Sequence, residues 1–177
     1  MASGFELGEL VQGTGVAVAV DPDGPLAGVL LRGPSGAGKS DLAARLIERC
    51  PWRRSSLIAD DLVIIGSTGS SLVMRHSGRL TGKMELRGIG IVGVRFVDQA
   101  ALRLVADMRD DISRLPEMAS ERLIASATIE TPVAAFNPFE QSACLKVRHA
   151  LRVFLSRHFE SQRQDGCSIQ ATGQRKL

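Results

Sequence analysis

The chain has 177 residues and a mass of 19.0 kDa, a size typical of one domain or of one domain with a tail. Apolar residues make up 44% and charged residues 23% of it, a balance that excludes a wholly disordered chain. Aromatic residues are scarce, with one Trp and no Tyr, which argues against a protein that stacks nucleic-acid bases on its surface. We therefore expect no nucleic-acid partner.

The net charge of +3 is distributed unevenly along the chain. From Lys146 to Leu177 there are seven Lys or Arg and only two Asp or Glu. Such a basic segment either docks an acidic partner or forms a solvated helix face. The cationic residues at issue on the helix predicted below are Lys146, Arg148, Arg152 and Arg157.

The cysteines and the apolar runs indicate the compartment. Cys50, Cys144 and Cys167 are far apart and odd in number, so the sequence predicts neither a zinc site nor a disulfide framework. The first ten residues carry acidic but no basic side chains, unlike a secretory signal. No apolar run approaches the roughly 18 residues needed to span a bilayer. We expect a cytoplasmic protein with no membrane partner.

Short apolar runs in the first third of the chain predict buried strands. Residues 16–20 form one run, and residues 29–31 form another between two glycines. A helix is predicted over about Lys39–Arg49, because Leu42, Leu46 and Ile47 share one face. Residues 57–59 predict a further short strand. Strands interleaved with a helix indicate an α/β fold.

The middle of the chain is rich in turn residues. Residues 62–65 and 72–74 flank a Gly, Ser and Thr turn, which predicts an antiparallel hairpin and so a mixed sheet. Residues 78–93 contain five glycines, which favours a loop or bent strand over a helix. Residues 101–106 predict another strand.

The last predicted element is a helix from Asn137 to about Phe159. Asn137 would cap it, Pro138 would take its first position, and Glu140 would complete a capping box. Residues beyond Ser161 have no apolar period. We therefore predict one domain over residues 1–160 and a disordered polar tail over residues 161–177.

Eight residues between the 29–31 strand and the first helix match the P-loop pattern G-x-x-x-x-G-K-[ST] in full. The glycines let successive backbone N–H groups converge on phosphate oxygens, and the helix N-terminus adds its positive dipole end. Lys39 would supply charge to the terminal phosphates of ATP, and Ser40 would offer a hydroxyl to Mg²⁺. The flanking strand and helix argue against a chance glycine-rich turn. The predicted phosphate-binding residues are Gly33, Pro34, Ser35, Gly36, Ala37, Gly38, Lys39 and Ser40.

Two aspartates, Asp60 and Asp61, follow the 57–59 strand about twenty residues after the P-loop. Because side chains alternate across a strand, the two carboxylates should face different environments. One can bind a metal or water while the other faces the reacting groups. The alternative is an Asp pair that merely begins a turn.

Glu85 and Arg87 are two residues apart in the glycine-rich stretch. In an extended chain they point to the same side, so a metal-binding carboxylate and a phosphate-binding guanidinium could share one cleft. The alternative is a surface ion pair. His76, His149 and His158 lie outside these motifs, and we predict structural or exposed roles for them.

Together these segments resemble the HPr kinase/phosphorylase family. The resemblance rests on residues 34–41, 58–61 and 85–91, in that order, and the Glu-Leu-Arg-Gly-Ile-Gly sequence is its most specific part. Weaker matches at 114–117 and 138–143 resemble the short forms of Gram-negative bacteria, which consist of the catalytic domain only. The resemblance covers about Val11 to Phe159.

The resemblance implies a P-loop fold similar to the nucleotide domain of phosphoenolpyruvate carboxykinase. It implies ATP- and Mg²⁺-dependent phosphorylation of a serine on HPr, the small phosphocarrier of bacterial phosphotransferase systems. Many members of the family also catalyse the reverse phosphorolysis. They are typically homo-oligomers, namely hexamers.

The resemblance also assigns roles to residues of this chain. Lys39 and Ser40 keep their phosphate and Mg²⁺ roles. Asp61 matches the acid/base aspartate, with Asp60 as its neighbour. The remaining matches are Glu85 as the second Mg²⁺ ligand and Arg87 and Arg114 as arginines near the transferred phosphoryl group.

The chain departs from the family pattern at two places. Gln12 stands where the family usually has a catalytic His, and Gln can form hydrogen bonds but cannot titrate. A basic segment linked to phosphorolysis in Gram-positive members is replaced around residues 132–138. The sequence thus predicts kinase activity with weak or absent phosphorolysis. Two alternatives remain open: a P-loop kinase acting on another acceptor, and a nucleotide-binding regulatory module without catalysis.

Overall fold

The computed structural model describes residues 8–78, 80–114, 116 and 119–168. Its elements, in chain order, are β1 (Glu9–Gln12), β2 (Thr14–Val18), β3 (Ala27–Arg32), α1 (Lys39–Glu48), β4 (Ser56–Ala59), β5 (Leu62–Thr68), β6 (Ser71–His76), β7 (Lys83–Leu86), β8 (Gly90–Gly93), β9 (Gln99–Met108), β10 (Ala119–Arg122), β11 (Glu130–Phe136) and α2 (Ala143–Ser168). None of the helices in these ranges has the length and apolar character needed to cross a membrane.

Nine of the strands form one mixed sheet, as predicted. The strand order is β1-β5-β6-β9-β3-β2-β4, and β11 also pairs with β9 and carries β10 at its other edge. The long strand β9 pairs antiparallel with β6 at its start and parallel with β3 and β11 further along. β9 therefore joins the two halves of the sheet and lies directly beside the strand that leads into the P-loop motif.

The sheet is covered on both faces. Along β3, Val29 and Leu31 belong to the core cluster that α1 and α2 complete, whereas Leu30 belongs to the cluster on the opposite face. All three side chains are fully buried. Burial on both faces explains why the central strands read as unbroken apolar runs.

The glycine-rich stretch 78–93 contains the separate hairpin β7–β8. Gly88 and Gly90, in and after its turn, have φ values of +84° and +104°, which side-chain-bearing residues rarely adopt. The expectation of a loop or bent strand is met, because two four-residue strands flank a tight turn. Strands β10 and β11 were not predicted.

Helix α2 differs from the predicted helix at its start. It begins at Ala143, not at Asn137, and the chain before it forms turns. Asn137 Oδ1 accepts a hydrogen bond from the backbone N–H of Phe139 at 3.0 Å. The Glu140 carboxylate bonds to Lys146 and Ser142 rather than closing a capping box. Local Asn and Pro turn geometry thus competes with helix initiation.

The far end of α2 also differs from the prediction. The helix extends to Ser168, beyond the expected end near Phe159. Residues 169–177 of the predicted tail lie outside the described residues.

The basic residues of α2 fasten the helix to the domain. Arg148 is buried, and its Nη2 donates to the carbonyl oxygen of Leu46 at 2.9 Å, near the end of α1. Arg152 donates two hydrogen bonds to the carbonyl oxygen of Val20, at 3.2 and 2.9 Å. Lys146 pairs with Glu140. Lys146, Arg148 and Arg152 therefore all form ion pairs or hydrogen bonds with other residues of the chain. The side chain of Arg157 is not among those described.

An ion-pair network holds the end of β3, where the P-loop motif begins. Arg32 and Asp107 are register partners in β3 and β9, and the guanidinium meets the carboxylate through two bonds of 2.7 and 3.2 Å. Glu121 of β10 binds the same guanidinium. The hydrogen bonds that Arg32 donates to Asp107 and then to Glu121 raise the pKa of its guanidinium, which stays charged.

The Asp107→Asn variant should reduce stability. Asn keeps the shape but removes the charge and one acceptor from a bidentate pair whose Asp107 side chain is only 14% exposed. We expect the free energy of unfolding to fall by about 1.5–3 kcal/mol, measured by denaturant titration. Asp98→Asn is the matched control, because that side chain is 81% exposed and should shift stability by less than about 0.5 kcal/mol. Equal stability of the two variants would contradict this role for Asp107.

Candidate functional site

The segment Gly33–Ser40 leaves the end of β3 and enters α1 at Lys39. Gly36 and Gly38 have φ values of +81° and +80°, in the left-handed region. Gly38 occupies the N-cap position of α1, and no side chain caps the helix there. The first backbone N–H groups of α1 are thus directed at the loop without a side-chain acceptor, which is the arrangement that binds anions at helix N-termini.

Lys39 lies against the loop that precedes it. Its Nζ donates hydrogen bonds to the carbonyl oxygens of Gly33 and Pro34, both at 2.9 Å. These bonds hold the ammonium group within the curve of the loop. A cation is therefore placed beside the uncapped helix terminus, and both features favour bound phosphate.

Asp60, at the end of β4, accepts hydrogen bonds from three different parts of the chain. Thr14 Oγ1 donates to its Oδ1 at 2.9 Å, and Ser40 Oγ donates to the same oxygen at 3.1 Å. The backbone N–H of Glu85 donates to Oδ2 at 3.2 Å. One half-buried carboxylate thus connects β2, the start of α1 and the β7–β8 hairpin.

Asp61 differs from its neighbour in both backbone and environment. Its φ is +68°, a strained value for a residue with a side chain, and it is exposed. The backbone N–H of Gly13 donates to its carbonyl oxygen at 2.8 Å, and Gln12 is the register partner of Leu62. Gln12, at the end of β1, and Asp61, just before β5, are therefore adjacent where these two antiparallel strands pair. Strained backbone of this kind clusters at functional sites.

The β7–β8 hairpin lies over the glycine-rich loop. A Cβ built on Gly36 would lie 3.7 Å from Nη2 of Arg87, so the guanidinium stands next to the loop. The side chains of Glu85 and Arg87 are exposed or partly so, and no ion pair joins them in the described part of the chain. The hairpin thus brings a carboxylate-bearing strand and a cation to the side of the loop where Asp60 lies.

The other predicted residues whose side chains are described form no hydrogen bond with this site. Arg114 is exposed between β9 and β10, and no hydrogen bond or ion pair joins it to the loop among the described residues. His76 bonds to Asp98 at 3.3 Å, and His149 is exposed on α2, in line with the roles predicted for them. The side chain of His158 is not described.

Sequence reasoning missed Thr14. It is fully buried, and it reaches Asp60 across 46 positions of sequence. The available signal was a hydroxyl residue at the start of an otherwise apolar run, since buried polar groups require partners. Nothing in the sequence names that partner.

The oxygen ligands at this site fit Mg²⁺ only in combination with a nucleotide. The described residues contain no group of three or more His, Cys, Asp or Glu side chains that could hold a metal ion. Mg²⁺ is usually bound by one or two carboxylates together with substrate phosphates and waters. The Ser40 hydroxyl and the Glu85 carboxylate are groups of that kind.

Comparison with known proteins decides the family. A model of the HPr Serine kinase C-terminal domain matches residues 12–103, just over half of the chain. The chain belongs to this family. The matched region contains the loop, both aspartates, Glu85 and Arg87, and it begins at Gln12.

Curated relatives carry the name HPr kinase/phosphorylase. The protein of Chlorobium limicola is 44% identical over 85 residues, covering 47% of this chain and 24% of its own length. The protein of Azoarcus sp. is 34% identical over 125 residues, covering 61% of this chain and 39% of its own length. The aligned part of the chain thus spans about a quarter to two fifths of these relatives.

A solved structure shows the same fold. The Hpr(Ser) kinase/phosphatase from Coxiella burnetii superposes with a TM-score of 0.67 at 19% sequence identity. The superposition covers 93% of this chain and 99% of that one. The mixed α/β architecture therefore occurs in that enzyme.

The Thr14→Val variant tests the support of Asp60. Val has nearly the shape of Thr but cannot donate, so Asp60 loses a hydrogen bond from a fully buried group. We expect the free energy of unfolding to fall by about 1.5–3 kcal/mol in denaturant titrations. Thr68→Val is the control, because that hydroxyl makes one long bond of 3.5 Å at a hairpin turn. If both variants lose the same stability, Thr14 does not support Asp60.

Proposed function

We propose that this chain is the catalytic domain of an ATP- and Mg²⁺-dependent kinase that phosphorylates a serine of the phosphocarrier HPr. One observation carries the proposal: Lys39, Ser40, Asp60 and Arg87 converge on one glycine-rich loop in a member of the HPr kinase family. An anion-binding loop with two cations and a carboxylate beside it has the components that phosphoryl transfer requires.

The loop residues bind and orient the phosphates. The N–H groups of the Gly33–Ser40 loop and the start of α1 surround the phosphate chain of ATP, and Lys39 neutralises part of its charge. Arg87, whose guanidinium stands beside Gly36, stabilises the charge that spreads over the transferred group. The Lys39 ammonium is already held by the loop carbonyls, which lowers the cost of reorganisation.

Asp61 is the proposed general base. The serine hydroxyl of HPr attacks the terminal phosphorus in line, its proton passes to the Asp61 carboxylate, and the bond to the ADP oxygen breaks. The exposed position of Asp61 allows a protein substrate to reach it. Asp60 has a different role, because its oxygens are already bonded to Thr14, Ser40 and Glu85.

Ser40 and Glu85 are the proposed Mg²⁺ ligands. These two residues would hold the ion, which would supply positive charge to offset that of the phosphates. Asp60 positions both ligands, since it binds the hydroxyl of Ser40 and the backbone of Glu85. Arg114 is proposed to act near the transferred group only when a substrate or partner chain brings its segment closer.

Gln12 bears on the direction of the reaction. Phosphorolysis must hold inorganic phosphate against phosphoserine, two like charges in one pocket. A titratable imidazole can add positive charge there, and Gln cannot. We therefore propose that the forward kinase reaction predominates. We further propose that the protein is cytoplasmic and hexameric, and that its nucleotide domain is similar to that of phosphoenolpyruvate carboxykinase.

Transfer of labelled phosphate from ATP to purified HPr tests the function directly. Wild-type protein with Mg²⁺ should label HPr but not an HPr variant whose acceptor serine is replaced by Ala. Lys39→Ala should abolish labelling, because the charge held within the loop is lost. Labelling of another protein alone would favour a kinase with a different acceptor. ATP binding without any transfer would favour a regulatory module.

Substitution of the two aspartates should have different effects on phosphate transfer and on ATP affinity. Asp61→Asn removes the base but keeps the shape, so transfer should fall about 10²–10⁴-fold while ATP affinity is retained. Asp60→Asn should instead lower both stability and ATP affinity, because an amide cannot accept all three hydrogen bonds equally well. The reverse pattern would exchange the roles of the two residues.

A further inference from the structure

A cavity of about 210 Å³ opens beside the glycine-rich loop. It is lined by Pro34 and Ala37 of the loop, by Met108 at the end of β9, and by Pro138 and Phe139. The walls are therefore largely apolar, although the loop itself binds anions. Neither the family match, which ends at residue 103, nor the phosphate-binding motif accounts for the segment 137–139.

Phe139 is an aromatic residue in an unusual position. It is 71% exposed, yet its ring stands against the loop, because a Cβ built on Gly38 would lie 3.2 Å from two of its ring carbons. The same Cβ would lie 3.1 Å from Pro138. A side chain at this position would crowd the ring, and the φ of +80° at Gly38 also favours glycine.

The turn that carries Phe139 is anchored to α1. Arg45 donates hydrogen bonds to the carbonyl oxygens of Pro138 and Glu140, and its guanidinium also pairs with Asp41. Because the loop and Arg45 belong to consecutive parts of the chain, the cavity walls are fixed relative to the phosphate-binding groups. An arrangement fixed in this way binds a ligand with less loss of entropy.

Polar groups at the rim suit a nitrogen heterocycle. Asn137 lines the cavity, and because its Oδ1 already accepts the N–H of Phe139, its amide hydrogens point to other acceptors. Arg109 and Asp110 also line the cavity. A ring with both donors and acceptors at its edge can bind such groups while its faces contact apolar side chains.

We propose that this cavity binds the purine base of the nucleotide whose phosphates lie in the Gly33–Ser40 loop, with Phe139 stacked on the base. The inference rests on the function proposed above and adds to it a base-binding surface on a segment outside the family match. The volume supports a base rather than a whole ligand, since complete small-molecule sites measure about 300–1,000 Å³. Continuity with the loop supports a nucleotide rather than a protein side chain.

Titration calorimetry with two probes tests the proposal. Mg-ATP reports on the base and the phosphates together, whereas Mg-tripolyphosphate reports on the phosphates alone. Phe139→Ala should weaken ATP about 5- to 150-fold, the range expected for loss of one aromatic stacking contact. It should leave tripolyphosphate within about twofold of wild type, and Phe139→Tyr should retain ATP affinity because the ring is kept. Val153→Ala, on the exposed face of α2, is the matched control and should change neither affinity.

The other outcomes separate this proposal from the proposed function. Tripolyphosphate binding with unchanged ATP affinity in Phe139→Ala would overturn the base site and leave the kinase assignment intact. Equal weakening of both probes would also overturn it, because the ring would then act on the loop. A higher KM for HPr with unchanged ATP affinity would assign Phe139 to the acceptor instead. Failure of wild-type protein to bind either probe would overturn both proposals.

Discussion

The site depends on the hydrogen bonds that Asp60 accepts. Thr14, Ser40 and the backbone of Glu85 come from β2, α1 and the β7–β8 hairpin, and each bonds to one carboxylate. Hydrogen bonds to a charged acceptor are stronger than neutral ones, and more so in a partly buried place. The hairpin is also held by core packing, since Met84 of β7 is 1% exposed within the cluster that α1 and α2 complete. Asp60, which the resemblance gave only as the neighbour of the acid/base aspartate, thus joins three separate parts of the chain at the site.

A second constraint lies at the root of the loop. The parallel pairing of β3 with β9 places Arg32 opposite Asp107, and their bidentate bond fixes the point at which the chain leaves the sheet. Parallel neighbours bring the carboxyl ends of their strands to one edge, where ligands of α/β proteins bind. Met108 and Arg109 follow on β9 and reach the cavity beside the loop. The paired strands β3 and β9 therefore carry both the start of the loop and part of the lining of the cavity beside it.

Sequence patterns predicted the elements whose formation depends on residues close together in the chain. The loop and the start of α1 follow from glycines beside a buried strand and an amphipathic helix, and the structure has α1 over Lys39–Glu48 as expected. The 62–74 hairpin follows from turn chemistry in the same way. Asn137–Glu140 shows the limit of that reasoning, because its capping signals serve turns anchored by Arg45 of another helix. Thr14 bonds to a partner 46 positions away, and β11 joins the sheet by pairing with β9, so both depend on contacts that a single sequence does not reveal.

The loop separates two kinds of chemistry by means of its glycines. Gly36 faces the guanidinium of Arg87, and Gly38 faces the ring of Phe139, so one side is charged and the other apolar. Lys39 uses two of its three N–H groups on the carbonyls of Gly33 and Pro34, which leaves a third donor for another acceptor. The cations beside the loop suit the phosphates of the proposed nucleotide ligand, and the aromatic ring beside Gly38 suits its flat base.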